Sequence, residues 1–369
     1  MKTPFRTNYR ARRALLKLLP ISASLLALGA CSMGAAATPS PTPDAKPTST
    51  PQPTRRVQDA AIFERNARLG RGVNLGNALE APTEGEWGIT LEESDFKLVK
   101  DAGFNAVRVP TRWSAHAADA APYSIDPAFF KRVDWVIQQA QANDLAVVLN
   151  MHHYEEFISD TARHTSRLVA MWQQIAERYA SYSSDLFFEP LNEPHDIGAD
   201  TWNDILAQAI TVIRNTNPSR PVVVGPVDWY SYRRLNELKL PADDRALIVT
   251  LHYYLPFEFT HQGAEWVNGS NAWLGTKWES TNSQKDSLDF DLNIAARWGK
   301  EQQRPIYLGE FGAYSKADID SRARWTDFIA RRAESYLMSW AYWEFRSGFG
   351  IYDAKTKQWN TPLRKALIP

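Results

Sequence analysis

The feature that most constrains this chain is an alternation. From about residue 59 to the C-terminus, short β-branched or aromatic runs recur between longer stretches of helical period. The runs are Gly72 to Leu75, Ala106 to Val109, Ala146 to Asn150, Leu186 to Glu189, Val222 to Gly225, Leu247 to Leu251, Ile306 to Gly309 and Ser339 to Trp343. Strands separated by helices pair in parallel, and a parallel sheet needs both faces covered. Eight such units in roughly 310 residues predict one α/β domain, a single (β/α)8 TIM barrel, whose usual size is about 250 residues plus insertions. Helix starts support the pattern: Thr90-Leu91-Glu92-Glu93 reads as a capping box and Asp126-Pro127 as an N-cap with proline at the first helical position. The largest connection, Tyr253 to about Asn282, is an insertion after strand 6 rich in aromatic, Gly and Asn residues. Such a loop on an otherwise economical scaffold is expected to wall a substrate cleft.

The segment before the barrel has a different texture. Residues 1–30 carry six basic side chains and no acidic one, followed by an apolar run from Leu18 to Ala30 broken only by Pro20. This is a signal-peptide layout, too short for a membrane-spanning helix of about 20 apolar residues. Leu28-Gly29-Ala30-Cys31 resembles a lipobox, which makes Cys31 the expected lipidation site, with an ordinary cleavage near Ala35-Ala36-Ala37 as the alternative. Arg12-Arg13 also fits a twin-arginine export signal, although any signal peptide needs basic residues there. Residues 32–58, rich in Thr, Pro and Ser, have little to bury and are expected to be a tether, leaving residues 59–369 as the barrel domain. The expected location is the outer membrane or cell surface through the lipid anchor, and otherwise the periplasm or medium. Lys plus Arg equals Asp plus Glu at 42 each, and without the leader the balance is 36 basic to 42 acidic, so no nucleic-acid partner is implied. Cys31 is the single cysteine, so no intramolecular disulfide can form.

In a barrel of this kind the C-terminal strand ends carry the chemistry, because the loops there surround the mouth. Read in order, those positions offer Asn77 and Glu80, Arg108, His152 with His153, Asn192 with Glu193, His252 with Tyr254, Glu310, and Trp343 with Glu344. Any one of them has a structural reading. Seven strands of eight ending this way point to a site, because stability residues belong at the opposite end. Glu193 and Glu310 follow the fourth and seventh strands, on opposing sides of the ring, and two facing carboxylates suit glycosidic cleavage. The histidines also admit a metal reading, but adjacent residues of one strand point to opposite faces, so at most one of His152 and His153 is expected to face the mouth. No metal and no cofactor is expected.

These residues resemble a known family. Phe188-Glu189-Pro190-Leu191-Asn192-Glu193-Pro194 is similar to the Asn-Glu-Pro signature of family 5 glycoside hydrolases, the cellulase family within clan A. Ala106-Val107-Arg108-Val109-Pro110, Asn150-Met151-His152-His153-Tyr154, Leu251-His252-Tyr253-Tyr254, Tyr307-Leu308-Gly309-Glu310-Phe311-Gly312 and Trp340-Ala341-Tyr342-Trp343-Glu344-Phe345 follow in family order. The resemblance covers about residues 62–365. Through Glu258 to Trp266 it is nearest to bacterial endo-β-1,4-glucanases that also accept mannans. It implies a retaining double displacement with Glu193 as acid/base and Glu310 as nucleophile. It further implies that Arg108 and Tyr254 hold Glu310, that Asn192 bonds the sugar 2-hydroxyl, and that His152 and His252 touch sugar and carboxylates with His153 behind them.

The tryptophans divide by position. Trp135, Trp172, Trp202, Trp298 and Trp325 fall in helical stretches and are expected in the core, whereas Trp87, Trp113, Trp229, Trp266, Trp273, Trp278 and Trp343 follow strands. Flat apolar rings suit the apolar faces of pyranoses. Trp343 is the expected platform under the sugar being cleaved, with Trp266, His261, Asn77 and Glu80 on the non-reducing side. The expected partner is a β-1,4-linked polysaccharide, cleaved internally by a monomer. A mannan-directed hydrolase using the same glutamates, a silent glycan-binding lipoprotein and a phosphate-handling barrel are the competing readings.

Overall fold

The computed structural model describes residues 55–369. Cys31, the leader and nearly all of the expected tether lie outside the described residues. Eight strands close into one parallel barrel in sequence order: β1 (Arg71–Asn74), β2 (Ala106–Val109), β3 (Ala146–Asn150), β4 (Leu186–Glu189), β5 (Val222–Val224), β6 (Leu247–Tyr253), β7 (Ile306–Phe311) and β8 (Ser339–Tyr342). Closure comes from β1 against β8, with Gly72 beside Ala341 and Val73 beside Tyr342. The expected barrel is therefore present, with strand ends displaced by one or two residues.

Helices Glu93–Asp101, Pro127–Ala142, Thr161–Arg178, Ala199–Thr216, Asn282–Gln302, Ile319–Ser335 and Thr361–Leu367 form the outer layer. Asp126 caps its helix as expected, its carboxylate accepting from Ala128 N at 2.8 Å ahead of Pro127. The cap expected at Thr90 lies two residues later. Glu92 is the N-cap, and its N–H donates to Asp95 at 2.8 Å. The fifth connection departs from the alternation, because only one turn at Val227–Tyr230 and a 3-10 segment at Tyr232–Glu237 stand where a full helix was expected. Length does not forbid a helix there; Asp228, Trp229 and Tyr230, just after Pro226, all have positive φ, a conformation that a right-handed helix cannot continue through.

Alternation along the strands divides the core. Outward residues such as Val107, Leu149, Phe188 and Leu308 pack under the helices. Inward residues Ala106, Val148, Phe187, Val223, Ile248, Tyr307 and Ala341 fill the barrel, joined by Ile62 and Leu69 from the leading helix Arg55–Leu69. That helix plugs the N-terminal end: Asn66 donates to Ile306 O at 3.1 Å and accepts from Ser339 Oγ at 2.7 Å. Higher in the same inward rows the residues turn polar, as Asn74, Arg108, Asn150, Glu189, Thr250 and Glu310, all buried. A polar layer replacing apolar side chains on one side of a barrel locates the chemistry. Among the described residues no helix is long and apolar enough to cross a membrane.

Candidate active site

The strand ends at the polar face are tied down by indole N–H groups. Trp113 donates to Asn150 O (2.9 Å), Trp172 to Pro190 O (2.7 Å), Trp202 to Gly225 O (2.9 Å) and Trp325 to Leu255 O (3.0 Å). Each acceptor lies at or just beyond the end of β3, β4, β5 or β6. The tryptophans expected in the core are there, Trp172, Trp202, Trp298 and Trp325 buried and Trp135 half-buried. Trp113 and Trp278, grouped with the mouth by their place after strands, are fully buried as well.

Arg108 is the centre of the site. It is wholly buried, and its guanidinium makes two 2.7 Å bonds to Glu189, one of 2.6 Å to Glu310 Oε1, one of 2.9 Å to Asn74 Oδ1 and one of 2.6 Å to Asn192 Oδ1. The planar fork matches a carboxylate bidentately while leaving donors for other partners, which a lysine cannot do. Tyr254 OH donates to the other Glu310 oxygen at 2.8 Å. Glu310 reaches this place through a register shift: Leu251 pairs with Leu308, but His252 pairs with Glu310, skipping Gly309. The extra residue re-aims the carboxylate into the barrel. Gly309 is required there, since a Cβ would lie 2.7 Å from Thr250 Oγ1 and 2.9 Å from His252 Nε2.

Glu193 stands opposite, past the end of β4, in a left-handed backbone conformation with φ 46°. Its chain is fixed by Asn192 N donating to Met151 O at 2.8 Å and by Tyr230 OH bonded to Leu191 O. His252 Nδ1 lies 2.6 Å from Glu193 Oε1 and 3.6 Å from Glu310 Oε2. The buried His252 Nε2 has no partner among the described residues, which places the ring proton on Nδ1, donating to Glu193, because a buried orphan N–H is the costlier state. Burial holds His252 down to about 4, so the ring is neutral near pH 7. Burial pushes Glu193 up to about 7, against the pull of Arg108 and His195 and with help from Glu189. Burial raises Glu310 too, opposed by His252, Arg108 and the Tyr254 hydroxyl. Both Glu310 oxygens already receive donors, whereas Glu193 Oε2 receives none among the described residues. Of the two, Glu193 is the one built to hold a proton.

The remaining expected residues lie around this centre. Trp343 stacks on His152 with centroids 5.4 Å apart and planes within 9°. His152 and His153 do not point to opposite faces. They lie beyond Asn150, the last residue of β3, where strand alternation no longer applies, and their rings meet edge to face at 4.8 Å. His153 also contacts Trp87. Glu80 turns its carboxylate on its own loop, accepting from the N–H groups of Asn77 and Ala78. His261 stacks on Phe257 at 4.0 Å, and Trp266 is 57% exposed above Tyr314. Phe257, His261 and Trp266 belong to the insertion after β6, as expected, whereas Tyr314 follows β7. Glu189, Asn74 and His195 were absent from the sequence-based set. The first two share the inward phase with Phe187 and Gly72, and a carboxylate or amide in that phase signals a buried partner; His195, which donates to Glu193 O at 2.8 Å, gives no such signal.

Glu193, His252 and Glu310 each bring one ligand-capable atom within 4.8 Å of the others. A cation placed there would face the Arg108 guanidinium, already 2.6 Å from Glu310, so the cluster suits proton transfer better than metal binding.

The family model for cellulase (glycosyl hydrolase family 5) matches residues 70–348. Endoglucanase H of Acetivibrio thermocellus is 35% identical over 328 residues, covering 87% of this chain and 35% of that protein. The chain thus spans about a third of that relative's length. Cel5A of Thermotoga maritima, whose structure was solved with mannotriose and also with cellobiose, is 50% identical at a TM-score of 0.82, covering 83% of this chain and all of that one. The cellulose synthase subunit Z of Clostridioides difficile is 39% identical at a TM-score of 0.79, covering 82% of this chain and all of that one.

Proposed function

From the premise that this chain belongs to glycosyl hydrolase family 5, we propose that it cleaves internal β-1,4 linkages of a glucan by retaining double displacement. The observation behind this is the convergence of Glu193 and Glu310, with facing oxygens within 4.8 Å. Retaining enzymes hold the two carboxyl groups about 5–5.5 Å apart, and inverting ones hold them farther apart to admit a water. Glu310, held by Arg108 and Tyr254, attacks the anomeric carbon. Glu193 gives its proton to the departing glycosidic oxygen, then takes one from the water that opens the glycosyl-enzyme. Asn192 spends Oδ1 on Arg108, leaving its amide N–H to bond the sugar 2-hydroxyl as the oxocarbenium-like state forms.

Trp343 is the platform for the sugar being cleaved. Trp266, His261 and Asn77 act on the non-reducing side, with Glu80 shaping the Asn77 loop. Trp229 serves the leaving side: it is 48% exposed and rests on His195 at 4.7 Å, which in turn is bonded to Glu193. Mannan is the second reading, favoured by the mannotriose complex of the Thermotoga relative. Initial rates on soluble β-1,4-glucan and on mannan rank the two. Early viscosity loss before much reducing-end release supports internal cleavage, and steady disaccharide release at unchanged viscosity contradicts it.

Glu193→Ala is expected to retain activity on substrates with good leaving groups and to gain activity with azide, giving a retained glycosyl azide. Glu310→Ala gives no retained product. An inverted azide product from Glu193→Ala exchanges the two roles. We further propose that Cys31 carries the lipid and that the barrel is held at the outer membrane as a monomer. Incorporation of a fatty-acid analogue supports the anchor, and unlabelled protein starting at a later alanine overturns it.

A further inference from the structure

We propose that Glu189 is a positioning residue that sets the charge felt by both catalytic carboxylates, by neutralising Arg108 from the side away from the sugar. The inference rests on the retaining reading above. Glu189 is wholly buried in β4 and takes two of the guanidinium's bonds, at 2.7 Å each, while Glu310 takes one. Arg108 would otherwise press its full charge on Glu310. A carboxylate beside an unshared buried cation holds its electrons tightly, which keeps it ionised and also makes it a poorer nucleophile. With Glu189 present, the three groups Arg108, Glu189 and Glu310 carry one net negative charge, so Glu310 is oriented by Arg108 without being overwhelmed by it.

The same charge acts across the ring. Groups within reach of the Glu189 charge are Arg108 on β2, Glu193 and Tyr230 from the loops after β4 and β5, His252 on β6 and Tyr307 on β7, while Glu310 is linked to it through the shared Arg108 guanidinium. Its field raises the proton affinity of Glu193 and Tyr230. Loss of the Glu189 charge therefore moves the nucleophile and the acid in one direction, toward lower pH. A part that only packed the barrel would lower the rate and leave both limbs in place.

The test compares the native enzyme with Glu189→Gln and Glu189→Asp. A 2-deoxy-2-fluoro β-cellobioside with a dinitrophenol leaving group labels the nucleophile without needing the acid, so its pH dependence reports Glu310 alone. Labelling in Glu189→Gln is expected to keep its rate to about one pH unit lower than in the native enzyme, and the alkaline limb of glucan hydrolysis is expected to fall in the same direction. Glu189→Asp, whose charge sits farther from the guanidinium, is expected to give a smaller shift of the same sign, and it carries the test alone if the Gln variant does not fold. Unmoved limbs, or limbs moved to higher pH, overturn the inference. Failure of the native enzyme to be labelled on Glu310 overturns the retaining reading instead.

Discussion

At the residue scale the site is a problem of placing three buried charges. Arg108, Glu189 and Glu310 are all at or near zero exposure, where removing one partner of an ion pair costs about 3–5 kcal/mol because the other is left uncompensated. Tyr254 adds a donor to Glu310 and lowers its proton affinity. Tyr254→Phe removes that donor, so Glu310 protonates more readily and the acid limb of kcat/KM is expected to move to higher pH. Loss of a hydrogen bond to a charged group, about 1.5–3 kcal/mol, converts to a roughly 10- to 100-fold fall in kcat/KM if the bond tightens in the transition state. A pH-rate profile checks both, and an unmoved acid limb contradicts the role. Glu193, Glu310, Arg108 and Tyr254 were legible because each ends a recognisable strand. Glu189 was legible only as part of a motif, since its role depends on which face of β4 turns inward. His195 was not legible at all: its bond to Glu193 O exists because the chain turns back through the left-handed conformation of Glu193.

At the element scale the helices do more than cover the barrel. Trp172, Trp202 and Trp325 each send an indole N–H across to a carbonyl just past a strand end, so the outer layer fixes the loops that carry the chemistry. Trp172→Phe keeps an aromatic ring in the core but leaves Pro190 O without its donor. The expected loss is about 1–3 kcal/mol of stability, with a fall in kcat larger than any change in KM, because Pro190 precedes Asn192 and Glu193. Thermal unfolding together with steady-state kinetics measures it, and a destabilised variant of unchanged kcat contradicts the anchoring role. The strands were readable as β-branched runs of the right length. The fifth helix was not, because three consecutive residues with positive φ just after Pro226 replace its start with a tight turn, and positive φ at Asp, Trp and Tyr leaves no sequence mark. The shift between β6 and β7 was equally hidden, being set by pairing rather than by composition.

At the scale of the whole molecule the buried titratable groups predict a stability optimum. Glu80, Glu193 and Glu344 are raised by burial to about 8, 7 and 7. An acid whose folded value lies above its unfolded one contributes stability that is complete below about 4.5 and lost as pH rises through 7 to 8. His153, His252 and His261 are lowered by burial to about 4, so their contribution is complete above about 6.5 and lost as pH falls through 4. The two sets oppose each other between those limits. The unfolding midpoint is expected to be highest between about pH 4.5 and 6.5 and to fall on either side; a midpoint that climbs steadily from pH 6.5 to 8 contradicts this. The central claim, retaining cleavage by Glu193 and Glu310, is tested most directly by the anomer of the first product. Proton NMR of a β-1,4-glucan oligosaccharide during the first minutes of hydrolysis is expected to show the new reducing end as the β-anomer, with the α-anomer appearing only by mutarotation. An α-anomer formed first would contradict the account.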